Sequence, residues 1–171
     1  MKKHNKVYGF TIILREYKAT IPTLWNATIK FMQDRKDLVS PGAWLDKLTW
    51  GAEKRYNLCH FWSNFEIARL DFFQSEAYQA YFDYLDQLGG FFYERWGDAP
   101  VHTMALGMFL KPEQIHYFED IAYKHPPYAN CPTNPVLQLY CQCDPATDEM
   151  RNNECLRDFQ RAAYKHPMDP K

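Results

Sequence analysis

The chain has 171 residues, 46% of them apolar and 17% aromatic, with a formal net charge of −1. That length fits one domain with a real core, and near-neutrality excludes a basic field for nucleic acid or a polybasic patch for an anionic membrane. No run of about 18 apolar residues is present to span a bilayer, and the basic start from Met1 to Lys6 lacks the apolar stretch of a secretory signal, so the segment alone reads as soluble and untargeted.

Val7 to Leu14, β-branched and aromatic with only Gly9 as a breaker, is predicted to be a buried strand. Thr20 with Pro22 opens a helix whose Leu24, Trp25, Thr28 and Met32 share a face, and Asp34-Arg35-Lys36-Asp37 closes it. Pro41-Gly42 leads into a short helical stretch carrying Trp44, Leu45 and Leu48. Tyr56 to Glu66 reads as a second strand. Ser75 caps the clearest helix, in which Tyr78, Tyr81, Phe82 and Leu85 follow helical spacing until Gly89-Gly90 stops it. Phe91 to Trp96 is predicted as a short strand. Gly97-Asp98-Ala99-Pro100 then turns into a helix through Met104 and Met108, with Asp98 at the N-cap. Pro112 starts one more helix, with Ile115 and Phe118 inward, and the chain after His125-Pro126-Pro127 is expected to be irregular. Strands alternating with helices make this a mixed α/β (α+β) domain. The peptide Ala-Tyr-Lys-His-Pro at 122–126 and 163–167 is too short to be a structural repeat.

Cys59 stands apart, while Cys131, Cys141, Cys143 and Cys155 crowd the last quarter. A loop-rich tail with four cysteines suits disulfides in an oxidising compartment. Zinc is the rival, although Cys141-x-Cys143 lacks the usual two-residue gap. The pairing stays open. Asn26-Ala27-Thr28 is an N-glycosylation sequon, weak support for the same compartment.

No dinucleotide fingerprint, P-loop or zinc-protease motif occurs. In a period-two strand from Tyr56 to Glu66, His60, Trp62, Asn64 and Glu66 share a face. That row suits a sugar: an indole for the ring face, an amide and an imidazole for hydroxyls, a carboxylate for the anomeric carbon. A half-buried strand with polar neighbours explains it equally simply. His125, held extended before two prolines, is a possible metal ligand or an ordinary loop residue.

Together these segments are more specific. Tyr56 through Ile67 resembles the signature block of the fungal α-1,2-mannosyltransferases. The likeness continues through Leu70-Asp71-Phe72-Phe73, Gly89-Gly90-Phe91, Tyr93 to His102, Tyr123-Lys124-His125 and Asn130-Cys131-Pro132, and upstream Tyr8-Gly9-Phe10-Thr11 and Ile21-Pro22-Thr23-Leu24-Trp25 also fit. The resemblance implies a retaining transfer of mannose from GDP-mannose to a mannose-terminated glycan in the Golgi lumen. It makes Glu66 the candidate nucleophile, His60 and Asp98 required polar residues, and His125 a ligand of Mn²⁺. It also implies the C-terminal portion of a GT-A-like fold without the N-terminal donor-binding half. Residues 1–130 would be the acceptor and catalytic part, and 131–171 an irregular cysteine-containing tail. A truncated remnant or a disulfide-pinned interaction module is the alternative.

Overall fold

A computed structural model describes residues 2–164. The predicted first strand is two: β1 (Tyr8–Phe10) and β2 (Ile13–Arg15), separated by a bend at Thr11-Ile12. The bend sends the two halves into different sheets. Helix α1 (Leu24–Asp34) follows, burying Leu24, Thr28 and Phe31, with Trp25 and Met32 only partly covered. Thr20 lies in a preceding 3₁₀ turn rather than at the cap. The buried Thr28 hydroxyl reaches Leu24 O at 2.9 Å and meets the Tyr81 hydroxyl at 2.7 Å, which satisfies a polar group that burial would otherwise penalise. Trp44, Leu45 and Leu48 are core residues around a 3₁₀ turn, as the spacing predicts.

The segment from Tyr56 to Glu66 is not one strand. A hairpin of β3 (Thr49–Trp50) and β4 (Arg55–Tyr56) precedes a turn in which Leu58 takes φ 66°. That left-handed conformation is unfavourable for a branched side chain. Here Asn57 Oδ1 accepts the Cys59 N–H at 2.9 Å, the local bond by which Asn stabilises turns. Strand β5 (Cys59–Phe61) then pairs antiparallel with β2, and after a turn at 63–65, β6 (Glu66–Ala68) pairs antiparallel with β1. All three β5 residues are buried, so the alternation expected of a half-exposed strand is absent there.

Helix α2 (Leu70–Phe73) leads to α3 (Glu76–Leu88), where the Ser75 hydroxyl accepts the Tyr78 N–H and Tyr78, Tyr81 and Leu85 are buried. Phe82 is 40% exposed. Gly89 ends α3 at φ 73°, a conformation open to glycine without steric cost. The predicted strand at 91–96 is instead a short helix, α4 (Gly90–Tyr93), with Phe92 and Tyr93 largely exposed, so no sheet face claims them. Helix α5 (Asp98–Phe109) is buried almost all round, consistent with a helix threaded through the core. Gly97 is its N-cap and Asp98 its first residue.

The expected helix after Pro112 is one 3₁₀ turn, after which the chain becomes β7 (Ile115–Tyr117), parallel to β1. The main sheet therefore runs β6-β1-β7. In its centre Gly9 has no room for a side chain, since a Cβ would lie 2.5 Å from the Phe118 ring. Strands β8 (Tyr123–His125) and β9 (Tyr128–Asn130) form a hairpin.

Among the described residues the tail is not irregular. After α6 (Pro135–Gln138) and two 3₁₀ turns comes α7 (Glu154–Tyr164), opened by Asn153, whose side chain accepts the Leu156 N–H at 3.1 Å. Cys155, Leu156, Phe159 and Ala163 form its buried face. Phe159 lies edge-on to Phe10 and Phe61, with ring centroids 5.3 and 5.2 Å apart, at the centre of the core. The cysteines form two disulfides, Cys59–Cys155 and Cys131–Cys143, with Cys141 free. Cys59 is therefore bound to the tail, and the zinc alternative falls. The second copy of the Ala-Tyr-Lys-His-Pro peptide runs past the described residues. Among them, no helix is long and apolar enough to cross a membrane.

Candidate active site

The register of the main sheet builds one corner of the site. Glu66 stands opposite Phe10 and Tyr8 opposite Ala68, so Tyr8 and Glu66 are diagonal neighbours on one face. The Tyr8 hydroxyl donates to Glu66 Oε2 at 2.6 Å. Helix α5 approaches from the side and sets His102 Nδ1 3.2 Å from the same oxygen. Asp98 and His102 are four residues apart, so one turn of α5 carries both toward this corner. Burial first, and then the charge on Glu66, pushes the Tyr8 phenol well above its ordinary range, with Asp98 adding to the effect. The Tyr78 phenol is raised by burial and by the same two carboxylates. Glu66 and Asp98 therefore act on one neighbourhood. At neutral pH both phenols stay protonated and able to donate.

Beside this corner opens a polar cleft of about 320 Å³ lined by Glu16, His60, Trp62, Asn64 and Asp98. His60 is only 4% exposed. Burial lowers its pKa below the ordinary imidazole value, while Glu16, the Leu58 backbone and Asp98 act in the opposite direction. Ser63 donates to Asp98 Oδ2 and the Ala99 N–H to its Oδ1, both at 2.9 Å, which fixes that carboxylate at the rim. A larger groove of about 460 Å³, lined among others by Trp25, Ile29, Met32 and Leu45, lies elsewhere. Its carboxylates Asp46 and Glu53 already pair with Lys47 and Arg55, and no histidine faces it, so chemistry favours the smaller cleft.

His125 ends β8 and is exposed. Its ring lies edge-on to Trp62 with centroids 4.7 Å apart, and Tyr128 meets the same indole at 5.7 Å. Trp62 thus both lines the cleft and packs on the hairpin. The base of the hairpin is anchored: buried Asn130 donates to Phe118 O and Ile121 O at 3.0 and 2.7 Å. Among the described residues no three His, Cys, Asp or Glu side chains gather into a metal site. His125 is an exposed imidazole, a side chain able to give one nitrogen to a divalent ion.

Of the sequence-predicted residues, His60, Trp62, Asn64 and Asp98 share the cleft, Glu66 sits at the adjoining corner, and His125 lies across the Trp62 ring. The single-strand face proposed for the row does not exist, because β5 and β6 belong to different sheets. Sequence reasoning missed Tyr8, Tyr78 and His102 as members of the corner. The sequence signals were the family-like segments that hold Tyr8 and His102 and the four-residue step from Asp98 to His102. Glu94 is structural: it accepts from the Thr23 hydroxyl and from the Trp96 indole, both at 2.6 Å, and ties down the start of α1. Asn26 of the sequon is exposed on α1.

The class of protein follows from the fold. The structure superposes on core-mannan synthase A of Aspergillus fumigatus, solved in a Mn/GDP form, with TM-score 0.84 and 41% identity, covering 95% of this chain and 46% of that one. It superposes equally on the mannosyltransferase Ktr4p of Saccharomyces cerevisiae in complex with GDP, with TM-score 0.86 and 38% identity, covering 95% and 45%. The mixed α/β architecture is thus part of a GT-A-like glycosyltransferase fold. Residues 1–163 match the glycolipid 2-alpha-mannosyltransferase family, to which the chain belongs. Glycolipid 2-alpha-mannosyltransferase 2 of Candida albicans is 53% identical over 99% of the chain, and glycolipid 2-alpha-mannosyltransferase of Saccharomyces cerevisiae is 50% identical over 95%. The chain spans 38% and 37% of those two relatives' lengths.

Proposed function

We propose that this chain is the acceptor and catalytic part of an α-1,2-mannosyltransferase that moves mannose from GDP-mannose to a mannose-terminated glycan with retention, in Golgi protein mannosylation and cell-wall mannan synthesis. One observation supports the reading: Glu66 is held by Tyr8 and His102, and it acts on Tyr78 together with Asp98, which lines a polar cleft with His60 and Trp62. Glu66 is the group opposite the leaving GDP. It either forms a bond to the anomeric carbon as the sugar–phosphate bond breaks, or stabilises the positive charge that develops there. In this reading His60, Asp98 and Trp62, which line one cleft, bind the sugar, the first two through its hydroxyls and the indole through its ring face. His125 would give one nitrogen to Mn²⁺, which when bound neutralises charge on the departing diphosphate.

The test is Glu66→Gln in the full-length protein that carries this chain. Transfer should fall by about a thousandfold or more, while GDP-mannose binding stays nearly intact, because the amide keeps the shape and loses the charge. Turnover within a few-fold of wild type removes Glu66 from the mechanism. The 171-residue chain by itself, in which no three His, Cys, Asp or Glu side chains gather among the described residues, should bind GDP-mannose weakly or not at all in a calorimetric titration with Mn²⁺. Micromolar affinity there would contradict this.

A further inference from the structure

We propose that Tyr8 and His102 are a pair of positioning residues that hold one oxygen of Glu66 so that the other alone faces the sugar. This rests on the reading of Glu66 given above. Three observations carry it. Both donors converge on Oε2, at 2.6 Å from the Tyr8 hydroxyl and 3.2 Å from His102 Nδ1. No hydrogen bond is made to Oε1 among the described residues, although the side chain is only 24% exposed and, with Asp98, acts on Tyr78. Finally, each donor is itself immobile. Tyr8 is fully buried in the central strand of the main sheet, and the His102 ring packs against Phe73 and Tyr78, with centroids 5.0 and 6.0 Å away.

The chemistry fixes the proton positions. An ionised carboxylate only accepts, so Tyr8 donates its hydroxyl proton and His102 carries its proton on Nδ1. Oε1 is then unencumbered, its direction set by a strand on one side and a helix on the other. A carboxylate free to rotate would present either oxygen at varying distances from the anomeric carbon. Misplacement of a reacting group by about an ångström costs on the order of a hundredfold in rate. Such a loss falls on turnover, since binding of the donor does not depend on which oxygen points where.

The experiment uses the full-length protein and reads kcat and KM for GDP-mannose separately, with a thermal melt of each variant as a control on folding. Tyr8→Phe and His102→Phe should each lower kcat by about tenfold to a hundredfold, with KM changed by less than threefold. His102→Asn should recover most of the loss, because its amide nitrogen falls near the position of Nδ1, whereas His102→Gln, whose amide reaches one carbon farther, should not. Equal rates for the Asn and Gln variants overturn the positioning role, and this pair decides the matter even if Tyr8→Phe fails to fold. If all four variants keep wild-type kcat while Glu66→Gln is inactive, the clamp is wrong and Glu66 still stands. If Glu66→Gln itself turns over normally, it is the underlying reading that fails.

Discussion

The Glu66 corner and the His125 hairpin are built differently. The Glu66 corner is a finished structure in which a sheet register, a helix turn, a buried phenol and a half-buried imidazole meet on one carboxylate oxygen. The His125 end is a short hairpin with a buried base and an exposed tip, its imidazole in contact with the edge of Trp62. In the proposed reading the rigid acid is the group oriented beforehand, and preorganisation of that kind costs nothing at the moment of reaction; the exposed imidazole would be completed by a nucleotide-bound ion.

That contrast can be broken first at the support of the rigid end. Phe159 packs on Phe10, whose register partner is Glu66, and on Phe61. Phe159→Ala should destabilise the protein by about 3–5 kcal/mol, measured by denaturant unfolding. A loss under about 1 kcal/mol would mean that α7 is not part of the core. Trp62 stands between the two ends. Removing its ring forfeits two edge contacts, each worth about 0.5–1.5 kcal/mol, so Trp62→Ala should cost less than Phe159→Ala yet raise KM for the acceptor or donor. A variant with unchanged kinetics would deprive the indole of its place in the cleft.

His60 offers a test by pH. Burial lowers the folded-state pKa of its imidazole below the ordinary 6.5. Above that value the folded and unfolded chains both carry it neutral. As pH falls below it, the unfolded chain takes up a proton that the folded chain resists, so stability drops. His60→Gln should flatten the unfolding free energy between the ordinary value and the lowered one, relative to wild type. An identical pH slope in the two proteins would place His60 in water. The smallest effect on stability should come from the open end: His125→Ala should change unfolding by no more than about 0.5 kcal/mol. In the full-length protein the same variant should weaken Mn²⁺ and GDP binding together. Unchanged metal dependence would remove His125 as a ligand.

What could be read beforehand followed from physics acting over short range. Helix α3 is announced by Ser75, by Tyr78, Tyr81 and Leu85 on one face, and by Gly89, all local signals. The segment around Glu66 misleads for the opposite reason. Period-two alternation runs through it, but the Asn57-Leu58 turn and the turn at 63–65 divide it between two sheets, and alternation carries no information about which sheet a strand joins. The apolar spacing of Leu156, Phe159 and Ala163 is present in the sequence, masked by the cysteines and turn residues around it. His60, Glu66, Asp98 and His125 emerge from motif resemblance. Tyr8 and His102 lie in matching segments too but take no role from them, since one reads as core strand and the other as core helix until the register brings them to the same oxygen.

The central claim is that Glu66 and His125 serve one activated sugar across this cleft. A crystal structure of the full-length Glu66→Gln protein with GDP-mannose and Mn²⁺ addresses it directly. The His125 imidazole should coordinate the ion, and the side-chain atom in the place of Oε1 should lie about 3–3.5 Å from the anomeric carbon. A donor bound with residue 66 turned away from that carbon, or an ion fully coordinated without His125, would contradict it.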